Sequence, residues 1–120
     1  MNSHIRVLVV EDSEDQAVLL RENFERAGCT VTTVGNAEDA IRSYTEQIPH
    51  LAVIDLRLPG MSGWNLAERV RADLPDVAIA ITSVLDAADF PAADAVLPKP
   101  FTSAQLRQVL KDTVPEWRAP

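Results

Sequence analysis

The stretch Leu51-Ala-Val-Ile-Asp55, followed at once by Leu56-Arg-Leu-Pro-Gly-Met-Ser-Gly63, is the most informative part of this sequence. A short apolar run that stops at a loop containing proline and glycine predicts a strand buried on both faces of a sheet. Asp55 stands at the carboxyl end of that strand, and α/β proteins bind ligands at this edge. The stretch therefore predicts a central strand and a functional carboxylate.

Three other apolar runs end at polar side chains in the same way. Because parallel strands place their carboxyl ends along one edge, these side chains are expected to surround one crevice. Carboxylates, a hydroxyl and an amine together suit a divalent metal ion and a phosphoryl group. The end groups are Glu11 and Asp12 after residues 6–10, Thr82 at the end of residues 78–82, and Lys99 after residues 95–98.

Apolar runs alternate with segments of helical period along the chain, which predicts βαβ units with right-handed crossovers. The predicted fold class is α/β, a doubly wound parallel sheet of five strands. Helix caps are expected at Ser13, Asn36 and Thr102. The second helix is expected to bury Ala40, Ile41, Tyr44 and Ile48.

The connection between the fourth and fifth strands is unusual. Its twelve positions, 83–94, are about the shortest parallel crossover possible, and Pro91 divides them. We therefore expect a shortened or irregular fourth helix in this segment.

Composition limits the possible functions. A chain of 120 residues fits one domain, predicted over residues 1–114 with a loosely ordered tail at 115–120. The net charge of −7 argues against direct nucleic-acid binding. Cys29 is the sole cysteine, so no cysteine metal site is expected. With no signal peptide and no membrane-length apolar run, the expected location is cytoplasmic.

The strand-end residues suggest a specific chemistry. Mg²⁺ needs one or two carboxylates, which Asp12 and Asp55 can supply, with Glu11 acting through water. A cation would relieve the repulsion among the three carboxylates. Asp55 can then act as a nucleophile that forms an acyl phosphate. Lys99 would pair with the phosphoryl oxygens, and Thr82 could donate a hydrogen bond to another of them.

These residues also carry a family resemblance. The chain resembles the receiver domains of bacterial two-component response regulators, which share a flavodoxin-like fold. The resemblance covers nearly the whole chain, with its pieces in the family's order. The matching pieces are Val9-Val10-Glu11-Asp12, Ile54-Asp55 with the loop to Gly63, Ile81-Thr82-Ser83, and Leu97-Pro98-Lys99-Pro100-Phe101.

The resemblance implies roles for these residues. Asp55 would accept a phosphoryl group from a histidine kinase or histidine phosphotransfer protein, with Mg²⁺ as cofactor. The metal ligands would be Glu11, Asp12, Asp55 and the backbone carbonyl of Arg57. Thr82 and Lys99 would contact the phosphoryl group, and the peptide bond between Lys99 and Pro100 is expected to be cis. The implied protein is a phosphorylation switch, not an enzyme with its own substrate, that regulates an unknown downstream protein as a monomer or weak dimer.

Two departures from the family pattern affect the switch. Receivers usually carry an aromatic residue three positions before the lysine, where this chain has Val96. Valine cannot exchange an exposed ring for a buried one, so the switch formed by Thr82 and Val96 should differ from the usual one. The short segment at 83–94 also alters the family's usual output face. Two neighbouring residues predict slow loss of the phosphoryl group. Arg57 lies two positions after Asp55, and Val84, two positions after Thr82, is apolar where a polar residue could position an attacking water.

Two alternative functions differ from the phosphorylation switch. A degenerate receiver could serve as a docking module that works without phosphorylation. A phosphatase of the haloacid dehalogenase type would usually need a second acid two residues after its nucleophile, where this chain has Arg57.

Overall fold

The computed structural model describes residues 4–83 and 93–120. Within them lies one parallel sheet with strand order β2-β1-β3-β4-β5, the doubly wound flavodoxin-like order, which confirms the predicted fold class. The expected short helix or loop within 83–94 lies largely outside the described residues. The elements are β1 Ile5–Val10, α1 Glu14–Arg26, β2 Cys29–Val34, α2 Ala37–Glu46, β3 Leu51–Asp55, α3 Gly63–Asp73, β4 Ala78–Ser83, β5 Ala95–Pro98 and α4 Ser103–Thr113.

The sheet is covered by helices on both faces. Alternate side chains of β1 point in opposite directions: Val7 and Val9 pack with residues of α1 and α4, and Leu8 and Val10 with residues of α2 and α3. All five residues of β3 are buried, because helices lie on both sides of this central strand. This two-sided burial explains why the central strands are apolar throughout.

The helix ends follow the expected caps. Ser13, Asn36 and Thr102 each accept a hydrogen bond from the backbone N–H three residues later, and Thr102 forms a full capping box with Gln105.

The prediction for Ile48 was wrong, since this side chain is 54% exposed. The helix α2 ends at Glu46, so Ile48 lies beyond its inner face, in the loop before β3.

The end of the chain contacts the core. Trp117 is half-buried against the cluster of α1 and α4, and its indole Nε1 donates to the Ala27 carbonyl oxygen at 2.8 Å. This contact joins the tail to the end of α1, whereas the loose order expected for residues 115–120 stays a prediction.

Cys29 is buried, and that burial raises the pKa of its thiol to about 11. None of the helices in the described residues is long and apolar enough to cross a membrane.

His50 links the loop before β3 to the first strand. Its Nδ1 atom accepts a hydrogen bond from the Arg6 backbone N–H at 3.0 Å, which requires an unprotonated nitrogen. Burial lowers the pKa of His50, the charge of Arg6 lowers it further, and Glu116 opposes the shift. The folded protein therefore binds a proton at His50 less readily than the unfolded chain does.

We predict that His50 makes the fold less stable in acid. As pH falls below about 6.5, the ordinary pKa of histidine, the unfolded chain takes up the proton first, so the free energy of unfolding falls until the lower folded pKa is passed. In His50→Asn an amide oxygen can replace Nδ1 without titrating. Urea unfolding between about pH 7.5 and 5.5, a range that brackets the histidine pKa, should show a smaller loss of stability in the variant than in the wild type. An equal loss in both proteins would contradict this role.

Candidate functional site

The polar residues at the strand ends meet at the carboxyl edge of the sheet. Glu11 and Asp12 follow β1, Asp55 ends β3, and Lys99 follows β5. In the sheet register Asp55 lies beside Thr82 of β4. The order β1-β3-β4-β5 brings all of these strand ends next to one another, although they are far apart in sequence.

Three carboxylates form an acidic cluster at this edge. One oxygen from each of Glu11, Asp12 and Asp55 lies within 4.8 Å of the other two. Glu11 is 4% and Asp55 is 5% exposed, whereas Asp12 is open to solvent. Burial is the main cause of the raised pKa of Glu11, which Asp55 raises further and Lys99 opposes. Hard oxygen atoms at this spacing, with one ligand open to water, fit a Mg²⁺ ion.

Lys99 bridges two of these carboxylates. Its Nζ atom lies 2.8 Å from Oε1 of Glu11 and 3.1 Å from Oδ2 of Asp55. Burial, the largest single influence, lowers the pKa of Lys99, but the hydrogen bonds and charges of Glu11 and Asp55 together raise it above its ordinary value. The ammonium group therefore stays charged and balances the carboxylates.

Thr82 carries a buried hydroxyl on the strand beside Asp55. The residue is 1% exposed, and among the described residues its Oγ1 atom has no hydrogen-bond partner. A buried polar group in this state costs about 1–3 kcal/mol. Such a group, next to Asp55 in the register, is poised to donate to an oxygen that arrives with a ligand.

The backbone after Asp55 fixes the orientation of its carboxylate. The Arg57 N–H donates to Oδ1 of Asp55 at 3.0 Å, an Asx-type turn, while Lys99 holds Oδ2. The Arg57 side chain is exposed. Each Asp55 oxygen is thus held by a separate donor.

Sequence reasoning missed the part that Gly63 plays. Its N–H donates to the Leu56 carbonyl at 3.2 Å, and a Cβ atom at this position would clash with the Asp55 carbonyl and lie 2.6 Å from Cα of Leu56. Only glycine therefore lets α3 begin directly against the end of β3. The sequence did contain a signal, because a glycine stands at the end of the loop. The close approach of α3 to the end of β3, however, depends on how the helix folds back against the strand.

We predict that Gly63→Ala destabilises the fold by about 1–3 kcal/mol, the usual cost of forcing an added methyl into close-packed backbone. Gly35→Ala is the matched control, because no described atom lies within 4 Å of the place that its added Cβ would take, and its φ is not left-handed. The control should change the free energy of unfolding by less than about 1 kcal/mol. Urea unfolding of both variants measures this difference, and equal effects would refute the close contact.

Further predictions from the sequence concern residues in or near the last strand. The Lys99–Pro100 bond is cis, as the resemblance implied. Val96 is half-buried in β5 beside Ile81, and its part in switching stays a prediction. Phe101 packs partly against the core. Val84 lies outside the described residues.

Comparison with known proteins identifies the family. The sequence model of the response regulator receiver domain matches residues 7–111. The chain belongs to this receiver family. Such domains receive phosphoryl groups from histidine kinases in two-component systems. The family match favours the receiver interpretation over the phosphatase alternative.

Several relatives are regulatory proteins. The regulatory protein LuxO of Vibrio vulnificus is 41% identical over 71 residues, 59% of this chain and 16% of that protein. The transcriptional regulatory protein PrrA of Mycobacterium tuberculosis is 33% identical over 107 residues, covering 84% of this receiver chain and 46% of that protein. The receiver chain thus spans less than half the length of either protein.

Solved structures share the receiver architecture. The response regulator protein TrrA from Thermotoga maritima, solved in complex with Mg²⁺-BeF, has a TM-score of 0.85 and 27% identity over 92% of this chain and 99% of that one. A CheY-like receiver domain protein from Methanospirillum hungatei has a TM-score of 0.87 at 22% identity, covering 96% of this chain and 97% of that one. At 22% identity, the likeness to the Methanospirillum hungatei protein shows a shared fold alone.

Proposed function

We propose that Asp55 accepts a phosphoryl group from a histidine kinase or histidine phosphotransfer protein, with Mg²⁺, and that phosphorylation regulates binding to a downstream protein. One observation carries this proposal. The Lys99 ammonium holds Glu11 and Asp55 while the Thr82 hydroxyl beside them has no partner among the described residues. The Lys99 cation contacts the Asp55 nucleophile, and the Thr82 hydroxyl donor lies on the neighbouring strand. These are the groups that phosphoryl transfer requires.

The acidic cluster supports Mg²⁺ as the cofactor. Glu11, Asp12 and Asp55 supply oxygen atoms within 4.8 Å of one another, and the Arg57 carbonyl completes the set that the family resemblance implies. When bound, Mg²⁺ would neutralise charge on the carboxylates and on the incoming phosphoryl oxygens. The Mg²⁺-BeF complex of the related protein TrrA agrees with this assignment.

The transfer itself uses groups of this chain. A carboxylate oxygen of Asp55 forms a bond to phosphorus as the bond from phosphorus to the donor's imidazole nitrogen breaks, and the electron pair stays on that nitrogen. The Arg57 N–H orients the attacking carboxylate. Lys99 moves from its carboxylate partners to balance the phosphoryl oxygens, and the Thr82 hydroxyl donates a hydrogen bond to one of them.

We infer that the chain is a phosphoacceptor that assists its own phosphorylation and dephosphorylation, not an enzyme with a separate substrate. Its net charge of −7 supports a protein partner over nucleic acid. We also propose that the protein is cytoplasmic and that it is a monomer or a weak dimer.

We predict that acetyl phosphate adds one phosphoryl group to the chain when Mg²⁺ is present. Intact mass spectrometry should detect this adduct in the wild type, lose most of it after metal chelation, and find none in Asp55→Asn. The control replaces the attacking oxygen by an amide of the same shape, so the fold is kept and the nucleophile removed.

An adduct that persists in Asp55→Asn would assign the phosphoryl group to another residue and refute this site. If neither acetyl phosphate nor a histidine kinase yields an adduct, the result would contradict the phosphoacceptor function and favour the alternative of a phosphorylation-independent docking module.

We predict that Thr82→Val separates stability from phosphoryl transfer. Because the hydroxyl lacks a partner among the described residues, the isosteric valine should raise the free energy of unfolding by about 1 kcal/mol. It should also slow phosphorylation by acetyl phosphate about tenfold, since a hydrogen bond to a charged group contributes ~1.5 kcal/mol. Thr82→Ser keeps the hydroxyl and should retain most of the rate. A less stable Thr82→Val with an unchanged rate would refute both expectations.

A further inference from the structure

The position of Lys99 depends on a very short strand. The strand β5 has four residues, Ala95–Pro98, and Lys99 follows it directly. Its register with β4 places Leu97 beside Thr82. A slip of one residue would shift Lys99 by about 3.3 Å and turn alternate side chains to the opposite face. The contacts of Lys99 with Glu11 and Asp55 would not survive such a slip.

Asp94, the residue just before this strand, is bonded to β4. The backbone N–H of Asp94 donates to the Ile79 carbonyl oxygen at 2.7 Å, and Oδ2 of Asp94 accepts from the Ile79 backbone N–H at 2.8 Å. Asp94 thus binds both backbone groups of one β4 residue, immediately before the ladder begins at Ala80 and Ala95. This double contact defines which residue of β4 lies opposite the start of β5.

Arg71 of α3 holds the Asp94 carboxylate in place. Its Nη2 atom lies 2.5 Å from the same Oδ2 atom. Its Nη1 atom donates to the carbonyl oxygens of Val77 at 3.2 Å and Pro75 at 3.4 Å. The guanidinium therefore ties Asp94 to the loop that leads into β4. We call Asp94, Arg71 and the Ile79 backbone the Asp94 clamp.

We propose that Asp94 is a positioning residue for Lys99, a role that rests on the proposed phosphoacceptor function. It lies at the opposite end of β5 from the acidic cluster and acts through the register of the strand. The Mg²⁺ ligands come from β1 and β3 and the residues that follow them, so they do not depend on the clamp. The clamp therefore controls where Lys99 lies, whereas the strands that carry the three carboxylates keep their places.

The test uses three variants and one probe. Asp94→Ala removes the carboxylate, whereas Asp94→Asn keeps an oxygen that can accept from the Ile79 N–H. Asp76→Ala is the matched control, since Asp76 lines the same surface cleft of about 500 Å³ as Asp94 and Arg71. The probe is beryllium fluoride with saturating Mg²⁺, which places fluorine atoms where phosphoryl oxygens would lie on Asp55. The bound fluorine signals are followed by ¹⁹F NMR.

In Asp94→Ala we expect beryllium fluoride to bind about tenfold more weakly, a difference of about 1.4 kcal/mol, with a shifted signal for the fluorine nearest Lys99. Asp94→Asn should recover most of the affinity and the wild-type signal, and Asp76→Ala should match the wild type. Equal weakening in Asp94→Ala and Asp76→Ala would overturn the proposal, because it would trace the effect to lost negative charge. If Asp94→Ala does not fold, Asp94→Glu takes its place with the same expectation, since its carboxylate is displaced by one methylene.

A double-mutant cycle with Lys99→Ala separates positioning from general stability. If Asp94 acts through Lys99, removing the carboxylate should cost no further affinity once the ammonium group is gone. A second tenfold loss in the double variant, additive with the first, would mean that the clamp only stabilises the fold and would overturn the proposal.

The failure of the proposed function has a different signature. If the wild type gives no bound fluorine signal, Asp55 does not accept phosphoryl mimics and the phosphoacceptor function fails. In that case amide hydrogen exchange still tests whether Asp94 fixes the register of β5, independently of phosphorylation. Faster exchange at Ile81 and Leu97 in Asp94→Ala but not in Asp94→Asn supports the clamp, and unchanged exchange overturns it.

Discussion

The site depends on one electrostatic constraint, which is that Glu11 and Asp55 are buried side by side at the edge of the sheet. Two carboxylates out of water repel each other unless a cation lies between them. Lys99 meets this need in the structure through its contacts with both. A bound Mg²⁺ would take over the same duty, and Lys99 would then be available for phosphoryl oxygens. Under the proposed function, Lys99 would therefore balance the carboxylates before phosphorylation and the phosphoryl oxygens after it.

The sheet satisfies this constraint because five parallel strands end along one edge. Helices bury both faces, so the sheet acts as a rigid frame for the groups at its edge. Individual backbone contacts then set the positions of these groups. The Arg57 N–H orients Asp55, Gly63 allows α3 to begin against the end of β3, and Asp94 fixes the start of β5.

The Thr82 hydroxyl, which has no hydrogen-bond partner in the part of the chain that the structure describes, has a distinct energetic meaning. Folded proteins rarely leave a buried polar group without a partner, because the lost hydration is not recovered. Here the cost falls on a residue beside Asp55, where an incoming oxygen could recover it. The phosphoryl-bound state would gain a hydrogen bond from Thr82 that residues 4–83 and 93–120 do not supply in the free state. This difference between states is what a ligand needs in order to shift an equilibrium.

The sequence by itself determined the strands, the helix caps at Ser13, Asn36 and Thr102, and which side chains stand at the strand ends, because each follows from residues near in sequence. Tertiary structure decided what depends on distant residues. Ile48 is exposed because α2 ends early, and Gly63 matters because α3 approaches β3. Asp94 matters because it bonds to the backbone of Ile79, fifteen positions earlier in the chain. Local patterns encode periodicity and caps, whereas distances between strand ends exist only after the sheet has formed.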